Sequence, residues 1–167
     1  MSPAAAGRIA LVTLAALLAS GSASGHGEAD RANKETRPVF AEETGFGRQG
    51  NPKKASRIVR VSMADTMRFT PSELKIKRGA TVRFIIRNRG KLMHEMVIGT
   101  LTDLKQHAEL MKKHPGMVHE EPHMAHVAPG RTETLVWQFT KSGTFHFACL
   151  EAGHFEAGMI GKVMVTE

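Results

Sequence analysis

The chain contains one cysteine, Cys149, within "FHFACLEAGHFEAGMIGKVMV" (residues 145–165). His154 follows five residues later and Met159 five beyond that. A lone thiol cannot form an internal disulfide, so in an exported chain it is buried and inert, paired between chains, or bound to a metal. Its neighbours favour the metal. One thiolate, two imidazoles and a weak thioether are the donor set of a mononuclear blue-copper site, and this segment holds three of the four. The second imidazole must come from a neighbouring strand. In "GKLMHEMVIGT" (90–100), His94 stands among Met93, Met96 and Val97 at the start of an apolar run. Alone it would read as a buried histidine with its hydrogen bonds satisfied; beside Cys149, His154 and Met159 it reads as the missing ligand.

These side chains need a scaffold. In "TFHFACL", period-two alternation puts Phe145, Phe147 and Cys149 on one face and His146 and Ala148 on the other. The thiol therefore ends an aromatic stripe, where a strand gives way to the loop "LEAGHFEAG". That loop is long enough to curl back and present His154 and Met159. Upstream, "RIVRVSM", "MRFTPSELKIKRG", "ATVRFIIRNRG", "HEMVIGT" and "TETLVWQFT" have strand character, Gly79 and Gly90 mark turns, and "GKVMVTE" completes the set. Short alternating segments separated by turn signals predict an all-β domain over residues 55–167, an antiparallel sandwich or barrel. Its length suffices for one core.

Residues 101–130, "LTDLKQHAELMKKHPGMVHEEPHMAHVAPG", interrupt the strand pattern. "TDLKQHAELMKK" predicts a short helix, with Thr102 as cap and Pro115-Gly116 as stop. His107, Met111 and His114 fall on one helical face, and Met117, His119, His123, Met124 and His126 follow in a loop. Singly, each has an ordinary reading, with Met111 filling the core and the histidines at the surface. Together, in a chain with a copper donor set, they read as secondary copper ligands. Mixed thioether and imidazole suits Cu(I), and imidazole also holds Cu(II).

The remaining composition bounds location and partners. "MSPAAAGR" carries one positive charge, "IALVTLAALLA" is apolar and "SGSASG" is small, so residues 1–25 read as a secretory signal peptide. The apolar run is too short to cross a bilayer, and no later segment predicts a membrane span. Residues 26–54 are polar and rich in helix breakers, a flexible leader or strap on which Val39-Phe40 and Phe46 are candidate docking residues. The formal charge is +7, and loss of Arg8 with the signal leaves about +6. Such a surface either solubilises the protein or steers an anionic partner. With no basic groove studded with aromatics, nucleic acid is not an expected partner.

"HEMVIG" together with "GTFHFACLEAGHFEAGMIGKVMV" resembles the cupredoxin family of type 1 copper proteins, which includes plastocyanin, azurin and pseudoazurin. The family pattern is an upstream histidine, Gly-x-[Tyr/Phe]-x-Phe-x-Cys, a short loop, His, then Met before a Gly-x-Val-x-Val strand. Every element is present, and "MRFTPSELKIKRGATVRF" resembles the early strands, so the likeness covers residues 56–167. It implies a Greek-key β-sandwich, with a short helical His/Met-rich insertion, binding one type 1 copper (Cu+/Cu2+) through His94, Cys149, His154 and Met159. The chain also resembles exported bacterial cupredoxins linked to copper tolerance, which share the "HE" pair and a His/Met-bearing insertion. That implies periplasmic copper handling with one-electron chemistry and a redox partner protein; the alternative is a dedicated electron-transfer shuttle. Glu95 departs from the pattern, since many members have Asn there to tie the two ligand loops together. A buried, ionised carboxylate would favour Cu(II) and lower the potential, whereas an exposed one would face solvent. Four donors leave no evident open position, and a Cys–His hydrolase would need an oriented base and an oxyanion hole. The expectation is a protein that is not an enzyme.

Overall fold

The computed structural model describes residues 42–114, 117 and 119–167. The proposed signal peptide, the leader up to residue 41, and the Pro115-Gly116 stop lie outside them. The elements in chain order are β1 (Arg48–Gln49), β2 (Arg57–Ala64), β3 (Arg68–Thr70), β4 (Glu73–Lys77), β5 (Thr81–Asn88), β6 (His94–Gly99), α1 (Leu101–Lys113), β7 (Met124–Val127), β8 (Thr132–Gln138), β9 (Gly143–Ala148) and β10 (Ile160–Thr166). They form two five-stranded sheets, ordered β1-β8-β5-β2-β3 and β4-β10-β9-β6-β7.

The alternation in the sequence becomes the inside and outside of a sandwich. Val59, Val61 and Met63 of β2 turn inward with Val82, Phe84 and Ile86 of β5, meeting Phe145 and Phe147 of β9 in one continuous core. Each such side chain contributes about 1.5–3 kcal/mol when buried. The sheets are mixed rather than purely antiparallel: β2 runs parallel to β5 and β4 parallel to β10. Alternation reports which face is buried but says nothing about the direction of the neighbouring strand.

Strand β6 is buried along its whole length, because α1 covers the face turned away from the main core. Leu104, Ala108 and Met111 of the helix pack there with Val97, Met124, Ala148 and Leu150. The helix cap is Thr100, two residues before the expected Thr102; its hydroxyl accepts from the Asp103 N–H at 3.2 Å. Residues 42–54, read as the end of a flexible leader or strap, take the strap form and lie against the domain. Phe46 is 5% exposed and stacks on Trp137 with ring centroids 5.2 Å apart. Its carbonyl accepts from the Trp137 indole N–H, and β1 pairs with β8. A buried indole needs an acceptor, and this strap supplies one.

Candidate metal centre

Cys149 directly follows β9, and Ile160 at the start of β10 pairs with Ala148. The intervening loop must therefore close on itself. The Cys149 N–H donates to the Met159 carbonyl at 3.1 Å, the Met159 N–H donates to the His154 carbonyl at 3.0 Å, and the His154 N–H donates to the Glu151 carbonyl at 2.9 Å. These bonds carry the His154 ring to the thiol, with Nδ1 3.3 Å from Sγ. Met159 is fully buried in the same apolar cluster as Cys149.

His94 arrives from the first position of β6, which pairs with β9. It is fully buried, and its Nδ1 lies 3.9 Å from the Cys149 sulfur. Its Nε2 faces Asp65 Oδ1 at 3.1 Å. A carboxylate only accepts, so Nε2–H donates and the Nδ1 lone pair is left facing the sulfur. Asp65 is held in turn by the N–H groups of Lys91 (2.8 Å) and Leu92 (3.3 Å), which keep its carboxyl below the usual range. Gly90 makes that approach possible, since a Cβ there would stand 1.9 Å from Asp65 Oδ1.

Glu95 is 1% exposed, which settles the alternative left open by its departure from the family pattern. Its N–H donates to Cys149 Sγ at 3.4 Å, Oε1 accepts from the Leu150 N–H at 2.9 Å, and Oε2 faces His126 Nδ1 at 3.1 Å. Glu95 thus ties the His94 strand to the Cys149 loop. Burial pushes its carboxyl up to about 7, against the pull of His126 and the Leu150 N–H.

The donors fit copper. The Cys149 sulfur and one nitrogen of each histidine lie within 4.8 Å of one another, the spacing of donors around a single ion. Burial pushes the Cys149 thiol up to about 12, so the thiolate forms at neutral pH only when a cation compensates it. Burial, then the nearby His94, also holds His154 below the ordinary imidazole range, favouring the neutral ring that ligates metal.

The structure sorts the residues of the insertion. Met111 and Met124 are buried among apolar side chains, His114 caps α1 in an exposed position, and Met117 is exposed. Four imidazoles gather instead. The rings of His107 and His119 have centroids 4.7 Å apart, His119 and His126 are 6.4 Å apart, and His123 packs edge-on against Phe46 and Trp137. Burial lowers the proton affinity of His107 and His123, and His119 adds to the effect at both. Sequence reasoning missed Asp65 altogether. "SMADTM" carries no metal signal, and the aspartate lies 29 residues from the histidine it orients.

Comparison with known proteins agrees with this geometry. The family described as copper binding proteins, plastocyanin/azurin family, matches residues 56–166. The chain is 46% identical over 158 residues, 95% of its length and 96% of the relative's, to the copper-resistant cuproprotein CopI of Rubrivivax gelatinosus. It is 33% identical over 111 residues, 66% of each chain, to the copper-resistant cuproprotein CopI of Vibrio cholerae. Among solved structures it resembles auracyanin B with a TM-score of 0.59 at 18% identity, covering 75% of this chain and 97% of that one. It also resembles the reduced auracyanin of Roseiflexus castenholzii, with a TM-score of 0.58 at 19% identity, covering 67% and 98%. At such identities the structural likeness speaks for the fold, a cupredoxin β-sandwich. Sequence pattern, donor geometry and family match agree, and this chain belongs to the plastocyanin/azurin family of copper-binding proteins.

Proposed function

We propose that the chain handles copper in the bacterial periplasm, holding one type 1 copper through His94, Cys149, His154 and Met159, and that it is not itself an enzyme. The observation that carries this reading is the convergence of the Cys149 sulfur and both Nδ1 atoms in a buried pocket. Copper held there supplies a one-electron Cu(I)/Cu(II) couple. The protein's part is to keep the donors in place: Asp65 fixes the His94 ring, and Glu95 fixes the Cys149 loop through Leu150. Donors braced in this way limit rearrangement between the two oxidation states. Two relatives bear the name copper-resistant cuproprotein, which supports a role in tolerance. The signal-like N-terminus supports export, and among the described residues no helix is long and apolar enough to cross a membrane.

A second reading, an electron shuttle, is favoured by one feature. Leu92 and Met93, adjacent to His94 in the chain, are 47% and 43% exposed, an apolar surface next to a ligand on which a redox partner can dock. Copper titration of the purified protein tests the centre. A visible thiolate-to-copper absorption should grow to one equivalent and be absent in Cys149→Ser; its absence from the unmutated protein would overturn the reading. Deleting the gene separates the roles: a copper handler leaves the cells copper-sensitive, and a shuttle leaves tolerance intact while slowing electron flow.

A further inference from the structure

We infer that the turn between β2 and β3 is a two-armed brace for the metal centre, in which Arg68 is a positioning residue for the loop between His154 and Met159. One arm is Asp65, which fixes the His94 ring. The other leaves the same turn three residues later. Arg68 Nη1 donates to the Ala157 carbonyl at 2.9 Å, across 89 residues, and to the Met67 carbonyl at 2.7 Å. The inference rests on the reading of His94, Cys149, His154 and Met159 as the copper donors.

The loop depends on this contact. Its neighbouring carbonyls are taken up internally: Gly153 accepts from the Ala157 N–H, Phe155 from the Gly158 N–H and His154 from the Met159 N–H. The Ala157 carbonyl receives no backbone N–H among the described residues, so the donor that ties it to the rest of the domain is Arg68. The guanidinium also lies against Gly158, where an added Cβ would stand 3.2 Å from Nη1. Gly158 has φ +87°, a left-handed backbone that glycine adopts at no steric cost. The peptide held in this way leads directly into Met159, whose carbonyl accepts from the Cys149 N–H. A shift at Ala157 and Gly158 is therefore passed to the thioether.

The turn itself is a fixed support. The Met67 N–H donates to the Ala64 carbonyl at 3.0 Å, and Met67 has φ +57°, which a non-glycine residue keeps only where its surroundings hold it. Its side chain packs against the core cluster that contains Cys149 and Met159. From this base a planar guanidinium, with its donors in a rigid fork, reaches two carbonyls at once; an ammonium is a point charge on a flexible stem.

The test compares the full copper-loaded chain with its Arg68→Ala and Arg68→Lys variants. Copper release into excess chelator is timed, and the copper hyperfine splitting is read by electron paramagnetic resonance. Arg68→Ala should release copper about two- to tenfold faster, the worth of one hydrogen bond, and shift the splitting. Arg68→Lys, able to donate to Ala157, should recover part of both. In the metal-free proteins, hydrogen exchange at the Gly158 and Met159 amides should quicken by a similar factor in Arg68→Ala. Unchanged release and splitting would overturn the inference, as would a lowered urea midpoint with the splitting unmoved, the mark of a merely structural role. Absence of the thiolate-to-copper band from the unmutated protein would instead sink the four-donor reading. Amide exchange would then decide the brace alone, and equal rates in Arg68→Ala and the unmutated chain would overturn it.

Discussion

Glu95 provides a measurable link between burial and stability. Its carboxyl is pushed from 4.5 up to about 7, mainly by desolvation, so the folded metal-free protein holds this proton more tightly than the unfolded chain does. The resulting stabilisation is fully present below pH 4.5 and is lost as pH rises through about 7. A tenfold change in proton affinity is worth about 1.4 kcal/mol, so the displacement corresponds to about 3 kcal/mol. Glu95→Gln removes the titration while keeping an oxygen that can accept from the Leu150 N–H. The comparison is urea unfolding of both metal-free proteins at intervals from pH 4.5 to 8, with equal m-values as the check that the unfolded states match. Titrating groups that do not touch Glu95 affect both proteins alike and drop out of the difference; His126, whose Nδ1 faces Glu95 Oε2 at 3.1 Å, is the exception, and placing His126→Gln in both proteins removes it. Relative to wild type, the variant should gain stability across this range, approaching about 3 kcal/mol at the alkaline end. A difference that stays flat, or that turns against the variant as pH rises, would refute the view that Glu95 is held by burial against its own ionisation.

Two further substitutions probe the support of the site. Asp65→Asn takes the carboxylate from His94 Nε2 and should weaken copper binding about 10- to 100-fold in a chelator competition, with the visible band retained; unchanged affinity would mean that Asp65 does not orient the ring. Gly161→Ala would place a Cβ 2.2 Å from the Phe147 ring, which is itself buried edge-on against Phe69. Overpacking of this kind should cost about 1–3 kcal/mol by urea midpoint, and a wild-type midpoint would show that the ring has room to yield.

Much of the site could be read directly because its donors are close in sequence. Cys149, His154 and Met159 span one short loop, and closing β9 onto β10 brings them together whatever the rest of the chain does. His94 was detectable from its apolar surroundings, since a histidine at the start of a buried strand needs a partner. The insertion was less legible. Met111 and His107 are equally plausible ligands in a string of letters, and only the packing of α1 on β6 shows that the methionine fills an apolar layer while the histidine faces His119.

Composition, alternation and the Cys149–His154–Met159 spacing determined the class of fold and the metal and pointed to the proposed donors, because burial patterns and short loops are local properties of the chain. The tertiary structure decided what holds those donors. Asp65 lies in the turn just after β2 and reaches His94 only because the loop around Gly90 turns back onto it, and Glu95 reaches Leu150 across 55 residues because β6 and β9 are neighbours. Neither contact has a local signature: each depends on strand order and on where burial leaves a polar group in need of a partner.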